Sequence, residues 1–64
     1  MEDNPIYELY KRLEQIIVNS TIDADKFVNG NNSAGTRVRK AMQKVKALAQ
    51  EVRLEVQDQK NKQF

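Results

Sequence analysis

Between Arg37 and Lys46 the chain carries five bases, Arg37, Arg39, Lys40, Lys44 and Lys46, and no acid. No acid occurs from Gly30 until Glu51. Arg39, Lys46, Arg53 and Lys60 are spaced seven apart, which lines them along one edge of a helix. Arg37, Lys40 and Lys44 fall on the other side of the apolar seam. A guanidinium donates two parallel hydrogen bonds to a phosphate, and an ammonium pairs with it as a point charge. A helix N-terminus adds backbone N–H donors and a positive pole. Cations beside a capped helix end therefore form a phosphate-binding corner.

The chemistry of catalysis is poorly represented. The chain has no histidine and no cysteine. Ser20 and Ser33 stand where capping explains them. Glu51 and Glu55 lie one helical turn apart, as pairs on a solvated face do. The acids show no calcium-loop pattern, and a structural zinc site lacks its usual ligands. We expect no catalytic residue, no metal ligand, no cofactor and no small-molecule substrate.

The elements that hold the bases follow from the apolar spacing. Asp3-Asn4-Pro5 reads as a helix start, since either polar residue can cap and proline suits the first turn. Ile6, Leu13, Ser20 and Phe27 then share one heptad position. Leu9 and Ile16 share a second, and Tyr10, Ile17 and Ala24 a third. This is the wide stripe of a core-facing bundle helix. Asn19 to Asp23 have poor helix propensity, and Ser20 followed by Asp23 offers a cap for a new helix and so a break or kink, but the stripe keeps its phase across them. One helix over about 5–29 is expected, with Ser20 a polar defect in the seam and Ile22 off it.

Gly30, Asn31, Asn32 and Ser33 form the turn. Gly30 suits the left-handed conformation that ends a helix, and Asn32 or Ser33 is expected to cap the next one. Gly35 is either a loop residue or a point of close contact. The second helix is expected over about 34–58, followed by a frayed polar tail at 59–64. Val38, Val45 and Val52 share one position in it. Ala34, Ala41 and Leu48 share another, and Met42, Ala49 and Val56 a third. A loop this short makes the helices antiparallel neighbours. The fold class is all-α, an antiparallel two-helix hairpin forming a single domain.

A chain of 64 residues buries little surface alone. Small domains gain stability from disulfides, metals or partner subunits, and cysteine is absent. Each stripe is also three heptad positions wide, more than one neighbour covers. Dimerisation into a four-helix bundle is the expected solution. The longest apolar run is Ile16-Ile17-Val18, too short for a membrane span. The acidic start is not that of a signal peptide, so a cytoplasmic location is expected.

Charge is divided unevenly. Residues 1–32 hold six acids and three bases, while residues 33–64 hold eight bases and three acids. Such asymmetry fits contact with nucleic acid, RNA as much as DNA, with an acidic protein partner, or with an anionic membrane surface. It equally fits a solvated basic face, or pairing of the basic helix with the acidic one. Tyr7, Tyr10 and Phe27 lie on the first helix and read as core, so base stacking has no platform. The outward residues present in quantity are arginine and lysine, which suits phosphates rather than base edges.

At Gly30-Asn31-Asn32-Ser33-Ala34-Gly35-Thr36-Arg37-Val38-Arg39-Lys40 the chain resembles the chlamydial histone-like family of bacterial linker-histone-like proteins. Gly30, Asn31, Ala34, Arg37 and Arg39 match the family pattern, and the resemblance extends over about residues 23–58. It departs at Asn32 and Ser33, where lysine and alanine are common. The long lysine- and alanine-rich tail of the chlamydial members also does not follow, which weakens the expectation of DNA condensation. The resemblance implies a nucleoid-associated protein that binds double-stranded DNA. The bases expected at the phosphates are Arg37, Arg39, Lys40, Lys44 and Lys46, with Arg53 a weaker contributor.

Overall fold

The computed structural model describes residues 3–63 and contains two helices. The first, α1, spans Pro5–Val28, and the second, α2, spans Asn32–Gln63. They pack against each other as an antiparallel hairpin measuring 51 × 19 × 11 Å. The all-helical hairpin is the expected fold.

Asn4 caps α1, its Oδ1 accepting from the Ile6 N–H at 3.0 Å, and Pro5 opens the first turn. The helix then runs unbroken through Asn19 to Asp23. Two of the poor helix formers there satisfy their hydroxyls locally: Ser20 Oγ and Thr21 Oγ1 both donate to the Ile17 carbonyl, at 3.1 and 2.9 Å. Back-bonding of this kind lets a polar residue sit in a helix without an unmet donor. Ser20 is therefore a tolerated defect in the seam.

The turn closes α1 in two steps. The Gly30 N–H donates to the Phe27 carbonyl and the Asn31 N–H to the Lys26 carbonyl, both at 3.0 Å. This is the Schellman pattern, which needs a left-handed residue at its pivot. Gly30 supplies it with φ +105°. A side chain there meets no neighbour, so the cost of replacing it is conformational alone. We expect Gly30→Ala to destabilise the hairpin by about 1–2 kcal/mol, measured by chemical denaturation, while binding of any ligand to α2 changes little.

Two expectations about the ends need correction. The cap of α2 is Asn31, not Asn32 or Ser33. Its Oδ1 accepts from the Ala34 N–H at 3.2 Å and from Ser33 Oγ at 2.8 Å. The Schellman closure uses Asn31 as its last residue, so Asn32 and Ser33 already lie inside α2. The expected frayed stretch 59–64 is also wrong as far as it is described, because α2 continues to Gln63; Phe64 lies outside the described residues. Gln59 explains the continuation. Its amide exchanges hydrogen bonds with the Asn4 amide at 2.9 and 3.1 Å and donates to Glu55 at 3.1 Å. The open end of the hairpin is thus tied across, and Gln57–Asn61 and Lys62–Asp58 contacts carry the helix further. Pairing with Asp58 also raises the Lys62 ammonium above its ordinary range.

The core is thin. Leu9, Ala34 and Leu48 are the buried hydrophobic residues, with Ile6, Leu13, Ile16, Val38, Ala41, Val45 and Val52 half-buried around them. These are the first two heptad positions of each helix. The third position is bare: Tyr10 is 54 % exposed, Ile17 46 %, Met42 40 % and Val56 38 %. Gly35 resolves as a contact residue inside α2. A Cβ built on it would lie 2.6 Å from Phe27 Cδ1, so the ring of Phe27 rests on the glycine.

Candidate nucleic-acid interface

With α1 covering one side of α2, the bases project from the remaining surface. Arg37, Arg39, Lys40, Lys44, Lys46 and Arg53 are all exposed. They fall into two groups on either side of the outward crest. Arg37, Lys40 and Lys44 line a shallow groove with Asn19, Ser20 and Asp23 of α1. Arg39 lies on the opposite flank, beside Phe27, Val38 and Met42, and Lys46 and Arg53 follow it at seven-residue steps.

One of the six is compensated. Arg37 Nε lies 2.9 Å from Asp23 Oδ1, a charged hydrogen bond across the hairpin. Among the described residues, Arg39, Lys40, Lys44, Lys46 and Arg53 form no ion pair within 4.0 Å; the pairs present are Arg12–Glu8, Arg37–Asp23 and Lys62–Asp58. The charge is also polarised along the hairpin. Glu51 and Asp58 continue the edge begun by Arg37 and Lys44, and with Glu8, Glu55 and Arg12 they line a groove at the open end, where Arg53, Lys60 and Lys62 also stand, so acids and bases are mixed there. The turn end is basic, and the first turn of α2 holds no acid that would offset its positive pole.

Gly30, Asn31, Ser33 and Gly35 serve this surface indirectly. Gly30 and Asn31 set where α2 begins, Ser33 braces the Asn31 cap, and Gly35 lets Phe27 close over the first turns. None of the four adds a charge. Thr36, Gln43, Gln50 and Gln57, spaced seven apart, form the exposed crest between the two basic flanks. Counting charges alone passes over them, although their spacing is plain in the sequence. Asp23 was missed for a different reason, since its approach to Arg37 depends on the geometry of the turn.

A family model described as histone H1-like protein Hc1 matches residues 7–62. The chain belongs to this family. The resemblance seen at Gly30 to Lys40 is borne out, and the match takes in nearly all of α1, beyond the stretch from about residue 23 on which the resemblance rested. Neither the curated proteins nor the solved structures contain a significant match. In this histone H1-like hairpin, then, α1 supplies the support and one compensating carboxylate, and α2 supplies the exposed cations. Among the described residues no helix is long and apolar enough to cross a membrane.

Proposed function

We propose that this histone H1-like protein is a non-enzymatic nucleoid protein that binds double-stranded DNA, largely without sequence specificity, through the basic surface of α2. The observation that carries the reading is the uncompensated cluster Arg39, Lys40, Lys44 and Lys46 beside the turn. Arg37 contributes in competition with Asp23, and Arg53 stands farther along the same helix. Neutralising about five phosphates gives a slope of log K against log salt of roughly −4 to −5 per chain. Gel shift against random duplex DNA at two salt concentrations tests this. A complex that forms at low salt and dissolves as salt rises supports it; no complex at low salt refutes it. A basic face that docks an acidic protein, the competing reading, predicts that second result.

The proposal includes a homodimer. A compact monomer of 7.4 kDa exposes roughly 4,200 Å², whereas this chain exposes 5428 Å². The difference, roughly 1,200 Å², exceeds the ≈ 800 Å² that each partner commonly buries in a stable interface. Elongation accounts for part of it, and the bare third heptad positions account for apolar character that elongation does not require. Covering Tyr10, Ile17, Met42 and Val56 with the same face of a second copy would complete a four-helix bundle and leave the α2 crest outside.

The Asp23–Arg37 pair offers a test by gain of affinity. Asp23→Asn removes the carboxylate that competes with phosphate for Arg37. Binding should tighten, and the salt slope should steepen by up to about 0.9. The pair is half-exposed, so stability falls by no more than about 1 kcal/mol. Titration of both proteins over a salt series distinguishes this from an Arg37 that never meets DNA, for which the slopes coincide.

A further inference from the structure

The crest of α2 is neither core nor charge. Gln43 and Gln50 are exposed and make no hydrogen bond within the described residues. Ala47 and Leu54 are exposed as well but border α1: Ala47 lines a groove with Arg12, Gln15 and Ile16, and Leu54 one with Pro5, Glu8, Leu9 and Arg12. On the helix surface the neighbours of Gln43 three and four residues away are Arg39, Lys40, Lys46 and Ala47. Three of these four are cations, and among the described residues none of the three is paired with an acid.

We infer that α2 lies lengthwise in the major groove of double-stranded DNA, with Gln43 and Gln50 reading adenine. This rests on the DNA-binding reading above and adds to it a groove, an orientation and a base preference. A helix about 10–12 Å across fits a major groove about 12 Å wide. With the crest at the floor, Arg39, Lys46 and Arg53 face the phosphates of one wall, and Lys40 and Lys44 those of the other. The glutamine amide fits adenine at two points, its N–H donating to N7 while its carbonyl oxygen accepts from the N6 amino group. From Thr36 to Gln50 the crest is about 21 Å long, enough to follow several base pairs, and α1 sits behind α2 where it does not obstruct the groove. Complementarity of charge selects a polyanion, and the crest selects B-form DNA over RNA. The major groove of an A-form duplex is too deep and narrow for side chains to read.

The test uses the full chain and fluorescence anisotropy at one fixed salt concentration. The probes are an alternating A·T duplex, an alternating G·C duplex, the A·T duplex made with 7-deazaadenine, and double-stranded RNA of equal length. The A·T duplex should bind at least about fivefold more tightly than the G·C duplex. The 7-deaza substitution, which removes the N7 acceptor, should erase most of that margin, and RNA should bind more weakly than the A·T duplex. A Gln43→Ala/Gln50→Ala variant should keep its helicity by circular dichroism and its salt slope but lose the margin. Equal affinity for all duplexes, RNA that binds as tightly as A·T, or a preference that survives both 7-deazaadenine and the double variant would each overturn the inference. In those cases salt-dependent DNA binding survives, and with it the proposed function. Failure to bind any probe at low salt overturns both.

Discussion

Replacing Arg39, Lys40, Lys44 and Lys46 together by alanine should remove nearly all of the salt dependence of DNA binding. With about five phosphates neutralised, the slope is roughly −4.5, and a fourfold rise in salt weakens binding roughly 500-fold. With four of those contacts gone the slope falls to roughly −0.9, and the same rise in salt weakens binding by only a factor of about 3.5. At low salt the variant should already bind far more weakly than the parent. The four side chains are exposed and make no ion pair among the described residues, so their loss leaves the packing alone. Alanine is the best helix former, so α2 itself should be retained or strengthened. Anisotropy over a salt series reads the slope, and circular dichroism verifies the fold. An unchanged slope would place the phosphate contacts elsewhere on the molecule. The open end is a poorer candidate, because Glu8, Glu51, Glu55 and Asp58 offset the bases that stand there.

Arg37 is left out of that variant for a physical reason. Its guanidinium already has a carboxylate at 2.9 Å, and meeting a phosphate means giving that partner up or sharing it. Arg37 therefore supplies less net affinity than its position suggests. The Asp23→Asn variant measures the difference directly, and the two experiments together divide the basic surface into free and competed charge.

Much of this was legible in the residues. Apolar positions seven apart located both helices and their seam, because burial in an antiparallel pair depends on the same periodicity. Gly30 announced the turn, since few other residues adopt its φ without strain. The basic cluster needed only counting. What escaped depended on contacts between distant residues. Asn4 and Gln59 are 55 positions apart, and without their amide pair the end of α2 reads as a polar tail. Asp23 reaches Arg37 only once the turn has been folded. Asn31, Asn32 and Ser33 have nearly the same capping chemistry. Choosing among them requires knowing that the closure of α1 ends on Asn31. Gly35 reads equally as loop or close contact in the sequence, and the Phe27 ring against it decides for contact.

Ile17→Asp should convert the proposed dimer to a species of one chain mass. Ile17 is 46 % exposed at the third heptad position of α1, in line with Tyr10 and Ala24. In a symmetric pair each copy contributes the same patch, so one substitution acts twice. Burying an isoleucine side chain contributes about 1.5–3 kcal/mol, and a carboxylate in its place adds the cost of desolvating a charge. Two copies therefore weaken association by at least about 3 kcal/mol, more than a hundredfold in the dissociation constant. Sedimentation should give the parent twice the 7.4 kDa chain mass and the variant once that mass at the same concentration. The parent's melting temperature should rise with concentration, as it does whenever assembly and folding are linked. Val18→Asp serves as the control. It places the same charge on the outward side of α1, where Val18 is 65 % exposed and in line with Lys11 and Asp25, so its mass should stay that of the parent. A parent that sediments as one chain would remove the dimer from the proposal. An Ile17→Asp protein that still pairs would move the interface to another face. If the dimer is the binding unit, the two basic surfaces act on one duplex or bridge two, and the salt slope per complex should halve in the Ile17→Asp protein along with its mass.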